Sequence, residues 1–308
     1  MSKLFLYGIY CIFSYIVKLP SERTILKEES IMNINEASQQ WEKAAPGWAK
    51  WEDIISNGAR LVTDKMMEMA DVSLGNRVLD LASGAGNQTL IAAKRVGPNG
   101  HVVANDISPT MLHHVKKNSA NSGVSNVSTL LGDVQELDIK PNTFDAVICR
   151  FALMLFENPG IVLSSVFDVL KPNGKIGAIV FSSPEENQFF VKPMKILLRH
   201  AGKKPPIGGP GLFSMGAPGT LEKLFKDNGY VNTNISKQNL IFNMPLANES
   251  LVMMQEAFGA YRAVISDSPE GVQKMAWKEV LEYLMSLETS NGIEAPAQVL
   301  ICSAQKPA

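Results

Sequence analysis

At 308 residues the chain can bury a sizeable core, as one large domain or one domain with a small extra lobe. Its 45% hydrophobic and 19% charged composition is that of a soluble globular protein, and a formal net charge of -1 gives none of the basic excess that marks a nucleic-acid partner. Cys11, Cys149 and Cys302 are few and far apart, which argues against a disulfide framework or a zinc site and fits a reducing, cytoplasmic compartment.

The chain opens with an apolar stretch, Leu4 to Val17, flanked by Lys3 and Lys18. It is shorter than the roughly 20 apolar residues needed to span a bilayer, and no clear small-x-small cleavage pattern comes after it. Three readings fit: an extension of the reading frame ahead of Met32, membrane attachment through residues 4–17, or a structural helix. Residues 1–31 are therefore set apart as an extension and linker, and 32–308 as the main domain. A helical pattern starts at Asn33, and a second helix is expected from about Asp53 to Ala70. Trp41, Trp48 and Trp51 lie close together in the first, as a latch on the main domain or as a flap over a ligand.

The stretch RVLDLASGAGNQTL, Arg77 to Leu90, organises the rest of the chain. Val78 to Leu81 is aliphatic and short, as a buried strand should be. The chain then turns through Ala82, Ser83, Gly84, Ala85 and Gly86, and resumes as a helix from Gln88. Gly84 and Gly86 permit backbone angles closed to other residues and let a ligand approach the main chain. The helix behind them aims free N–H groups at that ligand.

His101 to Asp106 is the second strand, before a helix capped by Ser108 with Pro109 in its first turn. Val127 to Leu131 is the third and Phe144 to Cys149 the fourth. A helix from about Gly160 to Leu170 and a turn at Lys171 to Gly174 precede the fifth, Lys175 to Phe181. Residues 183–219, rich in Pro and Gly with a helix near Phe189 to His200, are expected to form a lid. A helix at Thr220 to Asn228, a strand at Asn234 to Phe242, helices between Leu246 and Met285, and a final strand from Gln298 to Ala304 complete the chain. Strands alternating with helices make an α/β fold with a doubly wound, mostly parallel sheet.

Three acids stand at successive strand ends: Asp80, Asp106 and Asp133. Ligands of open α/β sheets bind outside these ends, and Asp106 lies where an acid accepts hydrogen bonds from ribose hydroxyls. Three carboxylates would repel a pyrophosphate. They favour a ligand with a ribose, an exocyclic amine and a positive centre.

With these motifs the chain resembles the class I S-adenosylmethionine-dependent methyltransferases over roughly residues 40 to 305. VLDLASGAGN resembles their first motif, NDISPTML the second, LLGDVQEL the third, and FDAVICRFALMLFENP with VLKPNGKI the fourth and its sequel. Within the class it is most similar to small-molecule methyltransferases of the ubiquinone/menaquinone biosynthesis type. The resemblance implies a seven-stranded Rossmann-like sheet, S-adenosylmethionine as cofactor, and a small-molecule substrate. It implies that Asp80 and the backbone of Ala82, Gly84 and Gly86 hold the methionine portion, and that Asp106 binds the ribose. Ile107 and Met111 would pack on the adenine, and Asp133 with Val134 would recognise its amine. Arg150 would line the mouth between cofactor and substrate, or else pair with Asp145 or Glu157. Ala82 departs from the family pattern, which has glycine there.

Methyl transfer from a sulfonium is an in-line displacement that mainly needs alignment and exclusion of water. Of the four histidines, His200 in the lid region is the candidate base. The Asn/Asp-Pro-Pro-aromatic signature of many amino-group methyltransferases is absent after the fourth strand, which disfavours a nucleic-acid substrate. The apolar residues of 183–219 and of 246–290 suit a hydrophobic small molecule acting as acceptor at carbon or oxygen. Two rivals remain: a non-catalytic methyltransferase-like binding protein, and an NAD(P)-dependent oxidoreductase, which would want a third glycine between Asn87 and Leu90.

Overall fold

A computed structural model describes residues 22–136, 139–205 and 208–308, so the apolar stretch 4–17 lies outside the described residues. The chain divides into two compact units, Met1–Ala37 and Ser38–Ala308. In the first, the described residues are helical. No helix among the described residues is long and apolar enough to cross a membrane.

The chain starts with α1 (Glu22–Gly58) and α2 (Arg60–Met69). The boundary expected near Asp53 falls instead at Ala59. Gly47, within α1, lies so close to the backbone of Glu256 that a Cβ there would collide with it. Gly58 lies equally close to the Phe242 ring, whose Cδ1 is 2.5 Å from where a Cβ would stand. Both glycines thus allow a close crossing, Gly47 inside the helix and Gly58 as its last residue.

Then come β1 (Arg77–Leu81), α3 (Asn87–Val96), β2 (His101–Asp106), α4 (Pro109–Asn121), β3 (Val127–Leu131), β4 (Phe144–Arg150), α5 (Pro159–Val169) and β5 (Leu170–Phe181). After α6 (Gln188–His200) and α7 (Thr220–Asp227), β6 (Val231–Met244) leads to α8 (Ala247–Ala257), α9 (Gly259–Ile265), α10 (Glu270–Met285) and β7 (Ile293–Gln305). The strands form one seven-stranded sheet in the order β3-β2-β1-β4-β5-β7-β6. All pairs are parallel except those of β7, which runs antiparallel to both β5 and β6.

The mostly parallel, doubly wound α/β sheet expected from the sequence is therefore present. Its last two strands are longer than the sequence suggests. β7 begins at Ile293 and includes Pro296, which has no N–H to give a ladder. The β5 partner ends at Phe181, opposite Val299, so Pro296 is paired only with Ile241 of β6. Its missing donor faces a side with no strand.

The central strands are buried on both faces, while the edge strands β3 and β6 are largely half-buried or exposed. Leu79, Leu81, Val147, Ile148, Ile179 and Ile301 are all 0% exposed. Strand order reverses direction between β1 and β4, and the residues after these strands meet at that switch point.

Candidate functional site

The turn after β1 is strained where the sequence lacks a glycine. Ala82 has φ +48°, in the left-handed region, and Gly84 and Gly86 have +57° and +97°. The left-handed conformation costs a residue with a Cβ about 1 kcal/mol or more. The turn is held on β2 by Ser83, whose N–H donates to the Asn105 carbonyl at 2.9 Å. Beside the Cβ position of Gly84 there is open space, whereas a Cβ on Gly86 would stand 3.1 Å from Val115. The Ser83 hydroxyl is buried and has no hydrogen-bond partner.

The three acids differ in what they do. Asp80 is 0% exposed, and its carboxylate accepts from Gln88 Nε2 at 3.1 Å and Thr89 Oγ1 at 2.6 Å. It clamps the first turn of α3 to β1, and burial pushes its pKa up to about 7. Asp106 bonds on both sides: one oxygen accepts from the Gly84 N–H and the other from the Ser108 N–H, both at 2.9 Å. Burial raises its pKa despite these bonds. Asp133 accepts from the backbone N–H of Gln135 at 2.8 Å, and neighbouring Gly132 donates to the Asp106 carbonyl at 3.1 Å. The ends of β1, β2 and β3 are thus joined. Val134 and Met111 are buried and Ile107 is partly buried; Met111 packs against Ala85 of the turn.

Helix α1 lies over this turn. Ala45, Trp48 and Ala49 pack on Ala85 and Met111, and Trp48 stacks edge-on against Phe258 at 5.9 Å. Trp51 Nε1 donates to Glu256 at 2.7 Å. Trp48 and Trp51 therefore latch α1 to the α8–α9 junction, while the buried Trp48 Nε1 is left without a partner. Two glutamates of the same helix reach the neighbouring helix starts. Glu42 accepts from the hydroxyls of Ser108 and Thr110, and Glu52 accepts from the N–H of Asn87, the first residue of α3, at 2.9 Å.

Arg150, the last residue of β4, donates to Asn87 Oδ1 at 3.3 Å, Thr63 Oγ1 at 3.2 Å and Ser56 Oγ at 3.3 Å. All three partners are neutral. No carboxylate among the described residues forms an ion pair with it, and Asp145, a candidate by sequence, is bonded to Lys171 at 2.6 Å. Burial lowers its pKa, with the charges of Asp80 and Glu52 opposing that shift. The next residue, Phe151, is also left-handed at φ +60°. Its ring stacks on Phe181 at 5.1 Å, and Phe190 and Phe213 join the same cluster. The structure thus sets a cation-bearing polar corner beside an aromatic wall.

His200 lies elsewhere in the bonding network. Its Nε2 is 2.8 Å from Glu279 of α10, and no hydrogen bond connects it to Arg150, Asn87 or the strand-end acids. The sequence patterns do not single out Glu42, Glu52, Asn87 or Ser83. A signal for Glu52 nevertheless exists: Ala45, Trp48, Ala49, Glu52 and Ser56 share one helical stripe, so its polar members face inward.

The comparisons with known proteins agree with this geometry. Residues 73–200 match the family model described as a methyltransferase domain. The ubiquinone/menaquinone biosynthesis C-methyltransferase UbiE of Pseudomonas aeruginosa is 37% identical over 137 residues, 44% of this chain and 54% of that protein. The UbiE protein of Ectopseudomonas mendocina is 36% identical over 156 residues, 48% of this chain and 61% of its own length. The chain thus spans little more than half the length of these relatives. Among solved structures, the YcgJ protein of Bacillus subtilis shares the fold at 16% identity and a TM-score of 0.53, over 80% of this chain and 98% of that one. Residues 73–200 are thus similar to a methyltransferase domain, and the strand order of the sheet agrees with the fold of that solved neighbour.

Proposed function

We propose that this chain transfers a methyl group from S-adenosylmethionine to a small, hydrophobic acceptor at carbon or oxygen. The observation that carries the reading is Arg150. A guanidinium with only neutral partners, between the first turn of α3 and a phenylalanine wall, suits a ligand with an anionic end and an acceptor beside it. The remaining residues fit the same cofactor. Gly84 leaves its face of the turn open, and Ser83 has a hydroxyl to spare. Each Asp106 oxygen has a lone pair beyond the one used by Gly84 or Ser108, enough to accept from ribose hydroxyls.

When bound, the cofactor supplies an electrophilic methyl on a sulfonium. The chain's part is to hold and to dry. Asp80 fixes the turn, the backbone of Ala82, Gly84 and Gly86 would hold the methionine portion, and Arg150 its carboxylate. Asp106 would hold the ribose, Ile107 and Met111 would pack on the adenine, and Asp133 with Val134 would recognise its amine. Phe151, Phe181, Phe190 and Phe213 pack the acceptor and keep water from the line of transfer. Residues 183–219 and 246–290 form the substrate side, and His200 is the candidate base for an acceptor that reaches α6. The relatives' names specify carbon methylation in quinone biosynthesis, and a ring of that polarity suits the aromatic wall. Contact of residues 4–17 with a membrane surface would fit such an acceptor.

Calorimetric titration with S-adenosylmethionine, S-adenosylhomocysteine and NAD tests this reading. Binding of the first two without the third is expected, and then S-adenosylhomocysteine formation with quinol-like or phenolic acceptors. Binding of NAD alone would overturn it.

A further inference from the structure

The polar corner at the start of α3 carries two opposite charges, one on each side of Asn87. The backbone N–H of Asn87 donates to Glu52, and its side-chain oxygen accepts from Arg150. Glu52 and Arg150 therefore meet the same residue from two elements, α1 and β4, without forming an ion pair with each other. Neither has another charged partner among the described residues: Arg150 bonds only neutral groups, and the one donor to Glu52 is the Asn87 N–H. Among the described residues the other Glu52 oxygen accepts no hydrogen bond. Asp80, by contrast, is fully buried and both its oxygens are engaged by Gln88 and Thr89. The unpartnered, buried Ser83 hydroxyl lies in the turn that leads into the same helix.

A carboxylate and a guanidinium held apart around one residue are complementary to a zwitterion. We infer that Glu52 receives the α-ammonium of the cofactor's amino-acid end while Arg150 receives its α-carboxylate, so that α1 supplies a cofactor-binding residue as well as a hydrophobic latch. This rests on the S-adenosylmethionine reading. The arrangement resolves an apparent conflict, because an acid beside a helix N-terminus would repel an anionic ligand unless that ligand also brings a cation to it. Burial raises the Glu52 pKa and the nearby Arg150 charge lowers it, and an incoming ammonium would add to the lowering.

Calorimetry with two ligands separates the possibilities: S-adenosylhomocysteine, and its analogue in which hydrogen replaces the α-amino group. Glu52→Gln keeps an oxygen for the Asn87 N–H and removes only the charge. Wild-type protein should bind the amine-free analogue about 10- to 100-fold more weakly than S-adenosylhomocysteine. Glu52→Gln should lose a similar factor for S-adenosylhomocysteine and then discriminate less than about threefold between the two ligands. Glu52→Asp, which keeps the charge on a shorter arm, should recover part of the discrimination and controls for folding. Unchanged or tighter binding of S-adenosylhomocysteine to Glu52→Gln would overturn the assignment and make Glu52 a plug over the helix start. Full discrimination retained in Glu52→Gln would overturn it as well. Failure of the wild-type protein to bind S-adenosylhomocysteine would remove the cofactor reading and this assignment together, an outcome distinct from the other two.

Discussion

The hydroxyl of Ser108 donates to Glu42 at 2.5 Å while its oxygen accepts from the Met111 N–H at 3.1 Å, so one side chain both caps α4 and ties α1 to it. The hydroxyl bonds to Glu42, with that of Ser108 the largest influence, hold its carboxyl below the usual carboxylate range. A depressed pKa contributes stability that is present above the unfolded value of 4.5 and is lost as pH falls through the folded one. Glu42→Gln should therefore be less stable than wild type at pH 7 by about 1 kcal/mol. Urea titrations at pH 7 and near pH 3 check this, and a gap that does not shrink on acidification would refute the role of the charge.

Asp80 has the opposite sign. Burial lifts its pKa from 3.8 to about 7, so its contribution is complete below the unfolded value and is lost as pH rises toward and through 7. Asp80→Asn removes the titration but can no longer accept with both side-chain atoms from Thr89 and Gln88. The variant should be less stable than wild type at pH 5, and the difference should narrow by pH 8. Equal differences at the two pH values would show that Asp80 does not titrate there.

Ala82 sits at φ +48° in a position that glycine would occupy without strain. Ala82→Gly trades that strain for extra freedom in the unfolded chain, with a net gain of about 0.5 kcal/mol. Differential scanning calorimetry should show Tm rising by about 1–2 °C. A lower Tm would mean that the alanine methyl packs well enough to outweigh the strain.

Strand ends are legible in the sequence because most apolar runs stop at an acid or small residue, and parallel strands buried on both faces are nearly continuous in apolar character. The order of Asp80, Asp106 and Asp133 comes from those runs. The part played by α1 is not legible, since its contacts join residues far apart in the chain: Glu42 to Ser108 across 66 positions, Glu52 to Asn87 across 35. Nothing local distinguishes Glu42 from a solvated glutamate, and Glu52 has only its place on the stripe of Ala45, Trp48 and Ala49. The same holds for Asp80, whose position at a strand end is plain in the sequence but whose partners, Gln88 and Thr89, tie it to the start of α3. Pro296 is a related case, a strand residue whose acceptability depends on where the neighbouring strand stops.

Gly47 allows α1 to cross the end of α8, because a Cβ there would collide with the Glu256 carbonyl. Gly47→Ala should push α1 off its latch, separating Trp51 and Lys50 from Glu256. Limited trypsin digestion should then cut at Lys43 and Lys50 at least about tenfold faster, with the sheet still folded by circular dichroism. Wild-type cleavage rates would show that the backbone accommodates the methyl without undocking.

Arg150→Gln tests the polar corner from the other side. Glutamine can still donate to Asn87 or Ser56, so the neutral hydrogen bonds are partly preserved. What is lost is the charge. A charged hydrogen bond to a ligand carboxylate contributes about 1.5–3 kcal/mol, so affinity for S-adenosylhomocysteine should fall about 10- to 100-fold. Removing the cation should also leave Asp80 and Glu52 without the favourable field that now lowers their pKa values, so both should titrate at higher pH than in wild type. Calorimetric affinity and carbon-13 NMR titration of labelled carboxylates give the two readouts. Unchanged affinity with shifted titrations would confine Arg150 to the electrostatics of the folded chain and remove it from the cofactor site.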